Sequence, residues 1–402
     1  MRCKLRSNFH TNQMSLYNKR GVSAQKEEVH AAVKNLDQGL FPNAFCKVYP
    51  DYLGNDPEFV NVMHADGAGT KSILAYLYWK ETGDISIWKG IAQDAVVMNL
   101  DDLLCIGVYD NIVFNSTIDR NKHLITGEVL EQIIGGTQSL FDTLKSAGVT
   151  IHYLGGETAD VGDVVRTVAV NGTMTARWPK KEIISNDKIV AGDVIVGFAS
   201  YGQASYETEY NSGLGSNGLT SARHDVLSKF YAENFKESFD NNLPEEVVYI
   251  GKNRLTDEIN INGTNITIGK LILSPTRTYA PVLKELLCDH FDKIHGLIHC
   301  SGGGQTKCMK YLPGNFRVIK DNLFAVPPIF DIIRQNSGSS LREMYEVFNM
   351  GCRMEIYCSP EHARTMVDAA ESFNIDAQVI GRVEAFGEKQ LLIITAEEDI
   401  IY

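Results

Sequence analysis

The chain has 402 residues, of which 44% are hydrophobic and 22% charged, a composition typical of a soluble globular protein with two or three domains. Its net charge of −12 argues against a nucleic-acid partner, which would require a basic surface, but allows a phosphorylated ligand held through magnesium. No stretch is apolar enough to cross a membrane, no signal peptide is recognisable, and eight scattered cysteines without a CxxC pair suggest reduced thiols. We therefore expect a cytoplasmic protein without a membrane partner.

The predicted elements alternate between helix and strand, which indicates an α/β or α+β fold. Residues 1–16 are expected to form a flexible extension, and a polar stretch near 185 is expected to separate an N-terminal domain, 17–185, from a C-terminal domain, 186–402. Helices are predicted at 23–35, 85–107, 126–148, 276–291, 326–336 and 360–374. Strands are predicted at 59–65, 109–118, 149–160, 164–176, 194–199, 352–358, 377–383 and 390–395, with a hairpin over 261–269.

The segment DGAGTK follows the first predicted strand. Asp66 supplies a carboxylate, Gly67 and Gly69 allow a ligand to approach the backbone, and Lys71 supplies a cation. The segment is not a P-loop, because Thr70 rather than a glycine precedes the lysine. A phosphate and magnesium site is one interpretation, and an ordinary turn of small residues is the other.

The predicted helix 85–107 carries Asp94, Asp101 and Asp102 among apolar neighbours. At about 100° per residue, Asp94 and Asp101 fall on nearly one line of the helix, and Asp102 lies about 80° away. A carboxylate in such surroundings is costly unless it is solvated, paired or bound to a cation. The pattern therefore favours a metal site over a solvated helix face.

Three further segments are candidates for ligand contacts. Gly155, Gly156 and Glu157 are predicted to form a turn with hard oxygen ligands after a strand, although a hairpin turn would look the same. The run Ser301–Gly304 leads into a predicted helix whose first N–H groups could hold an anion, the alternative being a flexible loop. Arg277 could bind phosphate through a bidentate pair of hydrogen bonds, or it could form a salt bridge.

The order of these motifs resembles the aminoimidazole ribonucleotide (AIR) synthetase family, also called phosphoribosylformylglycinamidine cyclo-ligases. The resemblance covers roughly residues 17–395. It rests on DGAGTK (66–71), the aspartates of 94–104, GGETAD (155–160), GDVIVGFAS (192–200), GSNGLTSAR (215–223), LSPTRTY (273–279), HCSGGG (299–304) and FNMGCRM (348–354). Two positions depart from the family pattern: Gly215 stands where histidine is frequent, and Arg353 where a small residue is commoner.

The resemblance implies a two-domain ATP-binding synthetase fold. The N-terminal domains, which bind ATP and metal, would pair into a β-barrel in a homodimer, with ATP and substrate in a cleft between domains. It also suggests roles for individual residues. We assign catalysis to Asp66, Lys71 and Asp94; ATP or phosphate binding to Gly67, Gly69, Thr70, Lys71, Gly155, Gly156, Glu157 and Asn217; substrate binding to Ser301, Gly302, Gly303, Gly304 and Arg277; and metal binding to Asp66, Asp94, Asp102 and Glu157.

The implied function is that of a purine-biosynthesis ligase. With ATP and Mg²⁺ as cofactors, it would cyclise formylglycinamidine ribonucleotide to AIR and release ADP and phosphate. The alternatives are another phosphoryl-transfer enzyme of the superfamily, of the thiamine-monophosphate kinase or selenophosphate synthetase type, and a non-catalytic nucleotide-binding protein. The sequence does not identify a general base.

Overall fold

Two main β-sheets organise the computed structural model, which describes residues 16–22, 27–261 and 263–402. One sheet is built from residues 48–179 and the other from residues 194–401, on either side of the expected boundary near 185. The expected extension lies outside the described residues except for its last residue, Leu16, and so does the start of the predicted helix 23–35. Within the described ranges, no helix has both the length and the apolar character needed to cross a membrane.

The N-terminal sheet has the order β1-β2-β5-β3-β4 and is antiparallel except for the β3–β4 pair. Its strands are β1 (Val48–Pro50), β2 (Phe59–Gly67), β3 (Ile112–Arg120), β4 (Ile151–Asp160) and β5 (Val168–Pro179). Side chains of β3 and β5 alternate between buried and more exposed, as expected for a sheet with one covered face. The helices of this half are α3 (Lys71–Thr82), α4 (Trp88–Leu104) and α5 (Gly127–Ser146). Helix α4 packs on β2, β5 and α5, which explains why nearly all its residues are buried.

The C-terminal sheet has the order β14-β13-β10-β12-β6-β11-β9. Its strands are β6 (Val194–Ala199), β9 (Gly296–His299), β10 (Phe316–Lys320), β11 (Cys352–Cys358), β12 (Ala377–Ala385), β13 (Gln390–Ile394) and β14 (Asp399–Ile401). Every residue of β11 is buried, because this strand lies between β6 and β9. The other helices are α1 (Leu16–Lys19), α2 (Glu27–Val33), α6 (Leu219–Val226), α7 (Phe230–Asn234), α8 (Ile268–Ile272), α9 (Ala280–Asp289), α10 (Cys308–Tyr311), α11 (Pro328–Ser337), α12 (Leu341–Val347) and α13 (Ala363–Ser372).

The family resemblance implies that residues 226–270 are an insertion, and this insertion packs on α3 of the N-terminal half. It contains the predicted hairpin, formed by β7 (Glu258–Ile261) and β8 (Thr264–Thr267). Glu81, near the end of α3, accepts hydrogen bonds from the hydroxyls of Tyr231 and Thr256 and from the guanidinium of Arg254. The insertion therefore fastens the helix that begins at Lys71 to the C-terminal half.

Two predicted local structures were wrong. The segment GGETAD is not a turn, because it continues strand β4; Gly155, at φ +89°, lies where the pairing with β3 shifts register, so the strand bulges without ending. The helix predicted over 276–291 begins only at Ala280, and residues 275–279 form an extended loop. Pro281 fits that start, since proline is tolerated in the first turn of a helix but not in its interior.

Candidate functional site

The carboxylate of Asp94 is the centre of a buried cluster between the two halves. Its Oδ1 accepts hydrogen bonds from Lys71 Nζ at 2.9 Å and from the backbone N–H and hydroxyl of Thr276 at 2.8 and 2.6 Å. Lys71 also donates to the carbonyl oxygen of Ser274 at 2.5 Å. The other oxygen of Asp94, Oδ2, is buried and has no hydrogen-bond partner among the described residues. Lys71 and Asp94 thus form a buried ion pair beneath the DGAGTK turn.

Asp101 repeats this arrangement two helical turns further along α4. Its carboxylate accepts the hydroxyl of Thr278 at 2.6 Å and the backbone N–H of Tyr279 at 3.3 Å. Burial raises the pKa of Asp101 to about 7, although these hydrogen bonds and the nearby charge of Arg353 oppose the rise. Asp101 therefore titrates close to neutral pH.

Asp102 points to a different side of α4 and lies between two histidines. Its Oδ1 is 2.6 Å from His299 Nδ1 and its Oδ2 is 3.3 Å from His64 Nε2. Burial alone would raise the pKa of Asp102, but the bonds to His299 and His64 outweigh burial and hold the pKa well below its usual range. Asp102 is therefore ionised, with both oxygens occupied by imidazole groups.

The hydrogen-bond partners determine where the protons of these histidines lie. Arg353 Nε donates to His299 Nε2 at 3.0 Å, so the proton of His299 is on Nδ1 and is donated to Asp102. Burial lowers the pKa of His299 to about 4, which keeps the ring neutral. Nδ1 of His64 lies 2.9 Å from Asn99 Oδ1, whose amide nitrogen is directed at backbone carbonyls. Both ring nitrogens of His64 therefore face acceptors, and its bonds to Asp102 raise its pKa despite burial.

The DGAGTK turn lies at the open side of this cluster. Asp66 is exposed at the end of β2, and its Oδ1 accepts the backbone N–H of Gly67 at 2.7 Å. Gly69 adopts φ +59° and faces open space, which leaves its backbone accessible to a ligand. Thr70 binds the hydroxyl of Thr220 at 2.6 Å, which joins the turn to α6 of the C-terminal half.

Asn217 and the glycine run 301–304 lie next to each other. The amide nitrogen of Asn217 is 3.5 Å from the position that a Cβ on Gly302 would take. Gly304, at φ +48°, packs so closely that a Cβ would lie 2.4 Å from the carbonyl oxygen of Phe348. The predicted helix after the glycines consists of a single 3₁₀ turn and the one-turn helix α10, which offers little of the helix dipole expected to hold an anion.

Arg277 lies away from the open side of the cluster. It is buried and binds Glu207 through Nε at 3.0 Å and Nη2 at 2.5 Å, and its Nη1 donates to the carbonyl oxygens of Ala199 and Tyr201. The structure thus shows the salt-bridge alternative for Arg277. The pair holds the 201–214 loop against the loop of 275–279.

Glu157 is not brought to the side of the sheet on which Asp66 lies. Glu157 pairs with Thr117, Thr117 with Asn171, and Asn171 with Gly67. Glu157 therefore lies in the same row of the sheet as Gly67, the residue that follows Asp66. Neighbouring residues of a strand point to opposite faces, so the two carboxylates lie on opposite faces of the sheet. Three strand spacings separate them laterally, a distance of about 14 Å. Gly155 and Gly156 belong to the same edge strand.

Sequence reasoning noted Asp101 on the predicted helix and Arg353 as a departure from the family but assigned neither a role, and it missed His64, Thr276, Thr278 and His299. One signal for them was available. The hydroxyls of Thr276 and Thr278 are two residues apart in an extended loop, and the aspartates that they bind are seven residues apart on one helix face. The histidines carried no comparable signal, because their common partner Asp102 is distant in sequence.

Comparisons with known proteins agree with this architecture. The family model described as AIR synthase related protein, N-terminal domain, matches residues 52–178, and the model of the corresponding C-terminal domain matches residues 190–393. The chain is 31% identical over 326 residues to the phosphoribosylformylglycinamidine cyclo-ligase of Methanocaldococcus jannaschii, covering 81% of this chain and 79% of that protein. It is 29% identical to the cyclo-ligase of Thermococcus kodakarensis, covering 83% and 84% of the two chains.

Solved structures share the fold at much lower identity. The thiamine monophosphate kinase of Aquifex aeolicus, solved with AMPPCP and TMP, matches with a TM-score of 0.52 at 12% identity and covers 91% of this chain and 92% of that one. PurL of Thermotoga maritima, solved with ADP, matches with a TM-score of 0.51 at 14% identity and covers 96% of this chain and 52% of that one. At these identities the likeness is one of fold.

Proposed function

The chain belongs to the AIR synthase related family, and from this membership we propose that it is a phosphoribosylformylglycinamidine cyclo-ligase of purine biosynthesis. It uses ATP to cyclise formylglycinamidine ribonucleotide to AIR, with release of ADP and phosphate. The observation that carries the proposal is the convergence of the DGAGTK turn, α4 and the 274–279 loop on Asp94, within a chain whose relatives of that name match about four fifths of its length. Kinase and maturation-factor activities occur in more distant superfamily members.

The open turn at residues 66–70 is our proposed site for the ATP phosphates. Gly69 leaves room for a ligand beside the backbone, and the start of α3 supplies the positive end of a helix dipole. Lys71 contributes its positive charge and at most one N–H donor, because Asp94 and Ser274 already accept the other two. Phosphoryl transfer needs positioned charge more than a protein nucleophile, and these groups meet that need.

Two of the four expected metal ligands fit a magnesium ion. Asp66 offers an exposed carboxylate, and Asp94 offers a buried oxygen without a hydrogen-bond partner among the described residues. Asp102 does not fit, because imidazoles occupy both of its oxygens, and Glu157 lies on the opposite face of the sheet. Magnesium, when bound, would neutralise phosphate charge; we propose Asp66 and Asp94 as the residues that hold it.

The reaction itself requires that the oxygen of the formamide leave as phosphate. A phosphoryl group is transferred to that oxygen, an amidine nitrogen then forms a bond to the activated carbon, and the carbon–oxygen bond breaks with release of phosphate and one proton. The contribution of this chain is to hold both reactants in register and to keep water out. Contacts between the halves, such as the half-buried pair Thr70 and Thr220 and the buried pair Asp94 and Thr276, make that register rigid.

We also propose that the protein is a cytoplasmic homodimer. The uncovered face of the N-terminal sheet carries the exposed side chains of Met63 and Leu154, which are 71% and 67% accessible. A second copy that covers this face would bury both. The seven cysteines within the described residues are free thiols, in keeping with a reducing compartment.

The test is a turnover assay with purified protein, ATP and magnesium. Formylglycinamidine ribonucleotide should stimulate ADP release and yield AIR in equal amounts, measured by coupled ADP detection and mass spectrometry. Thiamine monophosphate serves as the comparison substrate for the kinase alternative. Absence of stimulation by the ribonucleotide, or phosphorylation of thiamine monophosphate instead, would exclude the proposed reaction.

A further inference from the structure

Arg353 is a buried cation whose hydrogen-bonding capacity is only partly used. It lies on β11 and is 2% exposed. Its Nε donates to His299, and its Nη2 lies 3.6 Å from the sulfur of Met98. Its Nη1 has no hydrogen-bond partner among the residues that the structure describes. Lys71, the cation expected from the sequence, is in contrast already paired with Asp94.

The guanidinium of Arg353 occupies the space over Gly215. A Cβ on Gly215 would lie 2.5 Å from Nη1 and 3.1 Å from Cζ of Arg353, and Gly215 itself adopts φ +73°. A side chain at position 215 would therefore displace the guanidinium and strain the backbone. The loop that contains Gly215 continues directly to Ser216, which contacts Thr276, and to Asn217, which lies over Gly302. Nη1 thus lies beside a loop that contacts Thr276, the residue that binds Asp94.

No carboxylate neutralises Arg353 by direct contact within the described part of the chain, where none of its nitrogens lies within 4 Å of an Asp or Glu oxygen. Burial lowers its pKa, and the charges of Asp101, Asp94 and Asp102 offset this only from a distance. A buried guanidinium stays protonated, and buried charges in proteins are normally paired. A bound anion would complete the pairing.

We propose that Arg353 binds a phosphoryl oxygen of a reaction ligand through Nη1. The inference rests on the proposed function, which supplies two phosphoryl groups: the terminal phosphoryl of the nucleotide and the 5′-phosphate of the ribonucleotide. Arginine is suited to either, because its planar donors match phosphoryl oxygens. His299 accepts the hydrogen bond of Nε and is itself held by Asp102, so the pair fixes the position of the guanidinium.

Direct binding measurements test the contact without turnover. Isothermal titration calorimetry would measure the affinities of AMPPCP, ADP and AIR for wild type, Arg353→Met and Arg353→Lys. Loss of a charge-assisted hydrogen bond should weaken the contacted ligand about tenfold or more in Arg353→Met. Weaker AMPPCP with unchanged ADP would assign the terminal phosphoryl, and weaker AIR would assign the 5′-phosphate. Unchanged affinity for all three would overturn the proposal.

Two further variants separate binding from folding. Gly215→Ala keeps the charge but displaces the guanidinium, because an added Cβ would lie 2.5 Å from the present position of Nη1, so it should weaken the same ligand as Arg353→Met. Arg382→Met, at an exposed position of β12 where the arginine pairs with Asp321, is the control and should leave all affinities unchanged. If Arg353→Met fails to fold, unaltered binding in Gly215→Ala would count against the proposal. A wild-type protein that binds all three ligands but forms no AIR would refute the cyclo-ligase function alone, and one that binds none would refute both.

Discussion

Thr276 binds Asp94 twice, through its backbone N–H at 2.8 Å and its hydroxyl at 2.6 Å, both to the same carboxylate oxygen. The two residues are 182 positions apart in the chain and belong to different halves. Thr278, two residues further along the loop, donates its hydroxyl to Asp101 in a second contact of the same kind. Helix α4 therefore binds the 274–279 loop of the C-terminal half through two of its aspartates.

Asp94→Asn should remove ATP turnover and lower stability. The variant leaves Lys71 as a buried cation without its carboxylate, and breaking one side of a buried ion pair costs roughly 3–5 kcal/mol. Urea denaturation gives the free energy of unfolding, and ADP release gives turnover. Glu388→Gln, on an exposed turn, is the control and should change neither. Turnover at the wild-type rate in Asp94→Asn would show that the carboxylate has no part in the reaction.

Asp101→Asn should change how stability depends on pH. The pKa of Asp101 is raised to about 7 in the folded protein, so the folded state binds more protons than the unfolded state from about pH 4 to pH 7. The contribution of this group to stability is therefore present at low pH and is lost as the pH rises through that window, by at most about 4 kcal/mol.

The measurement is the difference in unfolding free energy between wild type and Asp101→Asn at several pH values. Subtraction is needed because the lowered pKa of His299 acts in the opposite sense between about pH 4 and 6.5. Relative to the variant, wild type should lose stability as the pH rises. Parallel curves would mean that Asp101 is not held in its protonated form near neutrality.

Glu81→Ala should loosen the insertion from α3. Glu81 accepts hydrogen bonds from Tyr231, Arg254 and Thr256, and its loss leaves these donors without their partner at a cost of roughly 1–3 kcal/mol. Limited proteolysis should then cut within 226–270 faster than in wild type. Glu209→Ala removes an exposed contact with Lys270 on the same insertion and should have little effect. Equal cleavage rates in the two variants would show that Glu81 does not hold residues 226–270 against α3.

Glu207→Gln and Arg277→Met should lower stability to similar extents without raising the KM for either substrate. Both variants break the same buried pair, for which a loss of roughly 3–5 kcal/mol is expected. Kinetics below the melting temperature, compared with thermal unfolding, separate the two effects. A raised KM confined to Arg277→Met would restore the phosphate-binding role that the sequence suggested.

The sequence predicted those features that depend on local spacing. The rotation of about 100° per residue correctly placed Asp94 and Asp101 on one face of α4 and Asp102 on another. It did not reveal what these carboxylates contact, because their partners Thr276, Thr278 and His299 come from distant segments. GGETAD shows the opposite error: two adjacent glycines suggested a turn, but strand pairing on β3 overrode the local preference.

The polar bonds between the two halves bear on how this protein can be engineered. Thr70 with Thr220, Asp94 with Thr276 and Asp102 with His299 all join one half to the other, and Arg20, near the start of the chain, reaches across to Asp225. If the halves were expressed as separate polypeptides, each would expose polar groups whose partners lie in the other, and Arg20 and Asp225 would lose their ion pair. Reassembly from such fragments would therefore depend on ionic strength and pH, and a circular permutant that keeps both sets of partners in one chain is the better route to new termini.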